Sequence, residues 1–565
     1  MIYRHFSLVC VPPCGYTWDI GKPMTYKYCP ISNSIRKGRN PMKRSRLLTP
    51  LYSDHMVLQR RKPLFFRGQS LPHDIITLTL CDHTEKAKAD DNGHWSLAFP
   101  PQEASEDNVL TVRDSKEELT LTDIAIGEVW LAGGQSNMEF SLAQCSEWKE
   151  YADPADRNPK VRFFYTPKVP YRNELYARKW EETGWQDIHS PGFGDWSAIG
   201  YQFGDELART LGVTVGIIGC NWGGTSASAW MSRKAILSHD STRIYIDEYE
   251  AGIAGQALSE QYAAYDRYEA EYNEWNRQCG ELYAAHPDIE WDEVNRLLGP
   301  CQYPGPMNAG NPFRPCGLYD QMLCEIAPYT LAGFLYYQGE SDDHRPKAYY
   351  DLFSGLIQNW RALWHDNTLP MMITQLTMHR YKADPDFKNW PIIREAQLRV
   401  FREDPHTGLA VIPDCGEFNE IHPKAKKPVA HRLALQALYR VYDLLGPDKA
   451  MAPIYDHMTT DGAVMTVHFQ FATGLCLNGP ADGFELAGSD RRYYPATARI
   501  AGPDTLLLES PEVSAPRYAR YLWTNYGLPC LYGANGLPAS PFRTSPVDGS
   551  EDTDGHAAIQ QIMET

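Results

Sequence analysis

Apolar and polar positions alternate between residues 50 and 123, a pattern that predicts short β-strands. The runs cover residues 64–66, 75–80, 95–99 and 109–112. Asp91, Asn92 and Gly93 supply a turn between two of the runs, and Pro100-Pro101 ends one of them. We therefore predict a small antiparallel β domain over residues 48–123.

The pattern then changes to uninterrupted apolar runs separated by segments with helical spacing. The runs cover residues 124–132, 213–219, 331–337, 371–376 and 408–412. Within residues 347–364, apolar side chains recur at spacings of three and four, which favours an amphipathic helix. Alternation of this kind predicts a parallel sheet covered by helices. We assign residues 124–445 to this α/β domain.

The remaining segments each have their own pattern. Residues 240–300 are acidic and rich in Tyr and Trp, which predicts a helical insertion that either roofs a site or is a solvated decoration. Strand patterns return after residue 463, so we predict a C-terminal β domain over residues 446–545. We predict that residues 546–565 form a loose tail.

Composition narrows the class of protein. The chain has 565 residues, of which 43% are hydrophobic and 22% charged, an ordinary globular mixture. The net charge of −17 argues against nucleic acid as a partner. No run of about 18 apolar residues occurs, so we expect no membrane span.

Residues 1–47 differ from the rest of the chain, because they contain nine Lys or Arg and a single acid, Asp19. This segment lacks a convincing export signal, so we interpret it as a disordered leader or an over-extended start. The thirteen cysteines include no C-x-x-C pair. They favour buried thiols in a reducing, cytoplasmic compartment, although a bridge near Cys316 and Cys324 remains an alternative.

Candidate chemistry begins with Ser136, which follows the apolar run 124–132 and two glycines. The carboxyl ends of parallel strands are where such sheets bind ligands. A helix that starts after Ser136 would direct backbone N–H groups towards an anion. The alternative is that Ser136 only caps this helix. The segment is not a G-x-S-x-G elbow, because Met138 replaces the second glycine.

A nucleophilic serine needs a base, and His422 follows the last apolar run at a comparable position. Pro423 biases His422 towards an extended conformation. Residues two apart in an extended segment point the same way, so Glu420 can lie beside His422 and orient its ring. The alternative is a histidine that contacts a neighbouring surface carboxylate.

Two further apolar runs end in polar loops. Gly223 and Gly224 form a turn whose amides are free to face a ligand. Gln338 and Glu340 add a side-chain amide and a carboxylate. Because these loops end strands of one sheet, we expect them to form a common rim. No Cys/His cluster has zinc-ligand spacing, and we expect no metal and no cofactor.

Ordered motifs along the chain resemble the sialate O-acetylesterase family. They are residues 53–59 (SDHMVLQ), 127–138 (GEVWLAGGQSNM), 222–225 (WGGT), 314–319 (RPCGLY), 337–342 (YQGESD), 394–397 (REAQ), 421–423 (IHP) and 536–543 (GLPASPFR). The resemblance spans about residues 50–545. It implies a flavodoxin-like three-layer α/β/α domain of the SGNH hydrolase type, flanked by small antiparallel β domains.

The resemblance also implies roles for single residues. Ser136 would be the nucleophile and His422 the general base. The family usually has Asp before Ile-His-Pro, where this chain has Glu420, and SGNH relatives have an acid at the position of Asn419. Glu420 is therefore the expected third member, with Glu340 in reserve. The Ser136 N–H, a Gly223 or Gly224 N–H and the Gln338 amide would hold the oxyanion.

The implied activity is removal of O-acetyl groups from sugars through an acetyl-serine, with 9-O-acetylated sialic acid as the expected substrate. Acetylated xylan or another polysaccharide is the alternative within esterases. A carbohydrate-binding protein without catalysis is the alternative from another class. Aromatic residues such as Trp222, Trp230 and Tyr303 either stack on the sugar or pack in the core. Family members also occur in lysosomes and outside the cell, so these compartments stay open.

Overall fold

The computed structural model describes residues 45–286, 289, 291–300, 303–472 and 474–547. Most of the predicted leader and tail lies outside these residues. Leu47, which was assigned to the leader, is fully buried. The chain is mixed α/β with several small antiparallel sheets, as predicted.

Seven strands build the N-terminal part, and the last of them continues into the central sheet. They are β1 (Val57–Gln59), β2 (Leu64–Gln69), β3 (Ile75–Leu80), β4 (His83–Lys88), β5 (His94–Phe99), β6 (Ser105–Arg113) and β7 (Glu118–Gly134). β7 pairs with β6 in antiparallel fashion through its first half. The predicted boundary between residues 123 and 124 therefore falls inside one strand.

The central sheet adds six more strands. They are β8 (Val161–Tyr165), β9 (Trp185–Gln186), β10 (Val215–Asn221), β11 (Gly333–Tyr337), β12 (Met371–Thr374) and β13 (Thr407–Ala410). Their order is β13-β12-β11-β7-β10-β8-β9, and every pair is parallel except β8 with β9. All five predicted apolar runs are strands of this sheet, because parallel strands are buried on both faces and read as continuous apolar sequence.

Helices connect and cover these strands. They are α1 (Ser136–Glu139), α2 (Glu174–Glu182), α3 (Ala198–Leu211), α4 (Arg233–Ile236), α5 (Asp240–Ile253), α6 (Leu258–Ala285), α7 (Trp291–Leu298), α8 (Cys324–Ile326), α9 (Tyr349–Trp364), α10 (Asn389–Glu403), α11 (Lys427–Arg440) and α12 (Pro447–Ala450). α3 packs against α11, and α9 packs against α10. The predicted insertion at residues 240–300 is helical and contains α5, α6 and α7.

Alternate residues of β7 show that the two helix pairs cover opposite faces of the sheet. The Trp130 ring meets Phe203 of α3 edge-on, with ring centroids 5.2 Å apart. A Cβ atom on Gly133 would lie 2.6 Å from the Trp360 ring of α9. Residues an odd number apart point to opposite faces of a strand. The central sheet is therefore enclosed between two helical layers.

Ten short strands form the C-terminal β part. They are β14 (Ile454–Asp461), β15 (Val464–Gln470), β16 (Cys476–Leu477), β17 (Phe484–Ala487), β18 (Tyr493–Pro495), β19 (Thr497–Gly502), β20 (Thr505–Glu509), β21 (Tyr518–Tyr521), β22 (Leu531–Tyr532) and β23 (Phe542–Arg543). Arg543 forms an ion pair of 2.8 Å with Glu395 of α10, and Ser540 hydrogen-bonds Gln375 after β12. These contacts attach the C-terminal part to the central domain.

Cysteines in the described residues differ in exposure. Cys145, Cys220 and Cys530 are buried thiols, whereas Cys81 and Cys476 are exposed. Cys316, considered above as a bridge partner, is a thiol. Within the described ranges, no helix combines the length and apolarity that crossing a membrane requires.

Gly134 ends β7 in a backbone conformation that favours glycine, with φ of +131°. A Cβ atom there would lie 2.1 Å from the carbonyl oxygen of Tyr337 on β11. Gly212 also has positive φ, +71°, but open space surrounds its Cβ position. A comparison of the two glycines therefore distinguishes the cost of backbone strain, which both share, from the cost of a steric clash, which only Gly134 has.

We predict that Gly134→Ala lowers the free energy of unfolding by at least about 3 kcal/mol, because it adds a clash to the strain. Gly212→Ala is the matched control and should cost roughly 1 kcal/mol from strain alone. Urea denaturation of both variants measures the difference. Equal losses would contradict the close approach of β7 and β11.

Candidate active site

The hydroxyl of Ser136 and the imidazole of His422 meet at the carboxyl end of the central sheet. Ser136 begins α1 directly after β7, and His422 lies in the loop between β13 and α11. The distance from Ser136 Oγ to His422 Nε2 is 2.8 Å. The geometric prediction that these distant residues lie together is therefore fulfilled by the structure.

Both side chains line a cleft of 1090 Å³. Its wall consists of Ser136, Glu139, Phe140, Ser141, Gln144, Tyr165, Thr166, Pro167, Lys168, Asp195, Gly223, Glu420, His422 and Lys424. No residue of the insertion 240–300 is among these lining residues in the part of the chain that the structure describes. The predicted roof thus remains a prediction.

Glu420 contacts the backbone of His422. Its Oε1 accepts a hydrogen bond of 2.8 Å from the His422 N–H. Among the described residues, the structure gives no hydrogen bond between a carboxylate and Nδ1 of His422. Asn419, at the alternative acid position, has φ of +57° and accepts a hydrogen bond from the backbone N–H of Lys382. Asn419 therefore belongs to a neighbouring turn.

The pKa of His422 is lowered, first by burial and then by the nearby positive charge of Lys426. Glu420 and Glu139 act in the opposite direction and favour the imidazolium. The balance keeps the imidazole neutral at a lower pH than an exposed histidine. A neutral Nε2 is what a general base requires.

The Gly223 N–H faces the cleft beside Ser136, but it already has an acceptor. It donates a hydrogen bond of 2.5 Å to Glu139 Oε2. Lys168 Nζ lies 2.5 Å from Glu139 Oε1. The Gly223 N–H, which was expected to hold the oxyanion, thus already donates to the Glu139 carboxylate.

Gly224 turns away from the cleft. A Cβ atom there would fall 1.5 Å from the hydroxyl oxygen of Tyr303, so this glycine makes room for the phenol. Of the two candidate glycines, Gly223 therefore lies nearer to the serine. Trp230 is fully buried in the core.

Gln338 is fully buried, and its amide nitrogen donates to Asp342 Oδ2 at 2.6 Å and to the Thr225 carbonyl at 3.3 Å. This placement differs from the predicted oxyanion contact. Its physical reason is the burial of Asp342, since a buried carboxylate needs hydrogen-bond donors. Ser226 and Tyr245 supply two more donors to the same carboxylate.

Glu340 is also buried, and its Oε1 accepts a hydrogen bond of 2.6 Å from Asn137 Nδ2. Burial raises the pKa of Glu340. Its other oxygen has no hydrogen-bond partner among the described residues. Glu340 therefore bonds the residue that follows Ser136 and does not bond the His422 ring.

Four residues of this site were missed by sequence reasoning: Asn137, Glu139, Lys168 and Lys426. Asn137, Glu139 and Lys426 lie within four positions of the predicted pair, which was the available signal. Lysine is rarely buried, so the burial of Lys426 had no signal in the sequence. Among the described residues, no group of three or more His, Cys, Asp or Glu is arranged to hold a metal ion.

Comparison with known proteins connects this geometry to a family. The family model described as "Carbohydrate esterase, sialic acid-specific acetylesterase" matches residues 312–437. The sialate O-acetylesterase of Mus musculus is 26% identical over 547 residues, which cover 86% of this chain and 92% of the relative. The sialate O-acetylesterase of Homo sapiens is 24% identical over 542 residues, covering 87% and 91%.

The match to this family model and the matches to sialate O-acetylesterases over most of the chain support the family suspected from the sequence motifs. A solved structure of a carbohydrate acetylesterase from Xanthomonas citri is 29% identical, with a TM-score of 0.69. The match covers 88% of this chain and 99% of that one. Together these matches identify the protein as a carboxylic ester hydrolase.

We predict that the pKa of His422 lies below that of an exposed histidine and the pKa of His431 above it. Burial and Lys426 lower the pKa of His422, whereas a hydrogen bond to Glu206 raises the pKa of His431. NMR titration of the ring protons, assigned with His422→Ala and His431→Ala, measures both. His431 serves as the internal reference, and a reversed order of the two values would contradict the described surroundings.

Proposed function

We propose that this protein removes O-acetyl groups from sugars through an acetyl-enzyme on Ser136. The 2.8 Å contact between Ser136 Oγ and His422 Nε2 at the cleft is the observation that carries the proposal. A serine hydroxyl becomes nucleophilic when an adjacent base accepts its proton. The matches to esterases support this interpretation of the pair.

The fold proposal is a flavodoxin-like domain of the SGNH hydrolase type. Counted along the chain, strands β7, β10, β11, β12 and β13 have the order 2-1-3-4-5, which is typical of flavodoxin-like sheets. In such sheets ligands bind outside the carboxyl ends of the strands, next to the first strand. Ser136 follows that first strand, which supports the assignment of the cleft.

In the first half of the reaction, His422 accepts the proton of Ser136 while the serine oxygen attacks the acetyl carbonyl carbon. The tetrahedral intermediate then collapses, and the sugar alcohol leaves with a proton from His422. In the second half, His422 deprotonates water, which attacks the acetyl-serine. Acetate leaves, and Ser136 recovers its proton.

The oxyanion needs donors, and we assign the backbone N–H groups of Ser136 and Gly223. The first N–H groups of a helix lack intrahelical acceptors, which favours the Ser136 amide for this role. The Gly223 amide bonds Glu139 in the free protein. The acetyl carbonyl therefore has to replace the Glu139 carboxylate, which keeps Lys168 as its partner.

Glu420 is proposed to act on His422 in two ways. Its hydrogen bond with the His422 N–H fixes the backbone, and its charge favours the imidazolium that forms during attack. A carboxylate in a catalytic triad has the same two tasks, orientation and stabilisation of the charged histidine. The extra methylene of glutamate fits this backbone contact.

The proposed substrate is 9-O-acetylated sialic acid, because the mammalian relatives are named sialate O-acetylesterases. The Xanthomonas citri relative is named a carbohydrate acetylesterase, which keeps other acetylated sugars such as xylan as the second candidate. Acetate release from the two substrates separates these candidates. Binding of both without acetate release would favour the non-catalytic alternative.

We predict that Ser136→Ala lowers kcat for acetate release by roughly 10⁴-fold or more, because the nucleophile is lost. The assay measures acetate from 9-O-acetylated sialic acid and from acetylated xylan. Ser238→Ala is the control, since Ser238 is exposed and hydrogen-bonds only its own helix turn at Ala235. Near-normal activity of Ser136→Ala would refute the proposed mechanism.

We further predict that Glu139→Gln raises kcat/KM for a small acetyl ester about three- to tenfold, because a neutral amide competes less well for the Gly223 N–H. The same change removes a charge that raises the pKa of His422, so the acid limb of the pH profile should move to lower pH. Steady-state kinetics with p-nitrophenyl acetate measure both effects.

Glu150→Gln is the matched control for the Glu139 variant, because Glu150 pairs with Lys427 at the surface. A tenfold loss of kcat/KM in Glu139→Gln, with the control unchanged, would show instead that this carboxylate assists the reaction.

A further inference from the structure

A buried group of three side chains lies beneath the Ser136–His422 pair, and the proposed mechanism leaves it unused. We call Asn137, Glu340 and Lys426 the buried clamp. Their exposed fractions are 1%, 6% and 1%. They come from three separate segments of the chain, which follow β7, β11 and β13.

The amide of Asn137 joins the other members of the buried clamp. Its Nδ2 donates to Glu340 Oε1 at 2.6 Å, and its Oδ1 accepts from Lys426 Nζ at 2.6 Å. The Asn137 nitrogen faces two acceptors, Glu340 Oε1 and the Ile421 carbonyl, and its oxygen faces one donor, Lys426 Nζ. These partners determine the orientation of the amide. Neither charged residue contacts the other through a direct ion pair.

The same Asn137 nitrogen donates to the carbonyl oxygen of Ile421 at 3.0 Å. That carbonyl belongs to the peptide unit that precedes His422. The N–H of the same peptide unit donates to Glu420. Both ends of this peptide unit are therefore held, the carbonyl end by Asn137 and the N–H end by Glu420.

We propose that Asn137 is a positioning residue, and that the buried clamp sets the direction of the His422 ring by fixing the peptide unit before it. A peptide unit held at both ends cannot rotate about its flanking bonds without breaking a hydrogen bond. Asn137 also follows Ser136 directly in the chain. One side chain therefore links the positions of the nucleophile and of its base.

Lys426 adds an electrostatic contribution to this arrangement. Burial lowers the pKa of Lys426 to about 8, and Glu340 opposes that shift. The positive charge of Lys426 in turn lowers the pKa of His422. The other charged groups around His422 are Glu420 and Glu139, which raise its pKa, together with Lys168, Asp195 and Lys424 along the cleft.

This inference rests on the proposed function and is tested with the full chain and p-nitrophenyl acetate. Asn137→Ala should lower kcat about 10- to 100-fold, because a small misplacement of the base costs rate, while KM changes less than about twofold. Asn158→Ala is the control. Asn158 is a similarly bonded asparagine before β8, with hydrogen bonds to Asp205 and to the Lys160 N–H.

A second variant, Lys426→Met combined with Glu340→Gln, removes both buried charges together and so leaves neither without its counterpart. Loss of the Lys426 charge should raise the pKa of His422. The acid limb of the kcat/KM profile, which reports the free enzyme, should then move to higher pH. A merely structural contact would not produce this shift.

The outcomes separate the two proposals. If the unaltered protein releases no acetate, the proposed function fails. If it is active and Ser136→Ala is not, but Asn137→Ala keeps kcat within about threefold, only the positioning role fails. The role also fails if Asn158→Ala loses as much kcat as Asn137→Ala. If Asn137→Ala does not fold, kcat of the double variant decides, because that variant alters both charged partners of Asn137, and a kcat within about threefold of the unaltered protein refutes the positioning role.

Discussion

The whole site depends on one peptide unit, the one between Ile421 and His422. Its carbonyl accepts from Asn137 and its N–H donates to Glu420, so the loop that holds His422 is tied to the turn that holds Ser136. His422 lies twelve residues beyond the end of β13, and a loop of that length has no rigid support of its own. Polar contacts between loops therefore have to supply the rigidity that a strand supplies to Ser136.

Opposite charges lie close to one another both at the cleft wall and beneath it. Glu139 with Lys168 and Glu340 with Lys426 place two carboxylates and two ammonium groups around the reactive pair. Because charges removed from water interact more strongly, small displacements within these groups change the basicity of His422 appreciably. The free protein thus holds its base neutral and its amide donor at Gly223 occupied.

Much of the framework was predictable from sequence because its signals are local. Buried parallel strands read as continuous apolar runs, and Ser136 was located by following one of them to its end. Strand β8 and helix α3 were not identified in advance. The helix contains Gly200 and Gly204, which interrupt the helical pattern and pack closely against Ile217 of the sheet. The proximity of Ser136 and His422 was predictable, whereas the contacts that support them were not.

The polar contacts that support the pair cannot be predicted from the spacing of residues along the chain. Gln338 lies on the expected loop. Its amide donates to the buried carboxylate of Asp342, however, because that carboxylate needs hydrogen-bond donors, and the amide does not contact Ser136. Lys426 carries a side chain that is normally solvated, and only the folded chain places it beside Asn137. Which of several polar partners such a side chain bonds is determined only in the folded structure.

Strand β7 has a consequence for how the chain can be divided. Its first half belongs to the N-terminal sheet and its second half ends just before Ser136, so seventeen consecutive residues are shared by two architectural units. Excising the N-terminal unit at the apparent sequence boundary would sever a strand and leave its hydrogen-bonding edge bare. An exchange of the N-terminal sheet, in evolution or by engineering, therefore has to keep β7 intact. Through this strand the N-terminal sheet supports the central sheet.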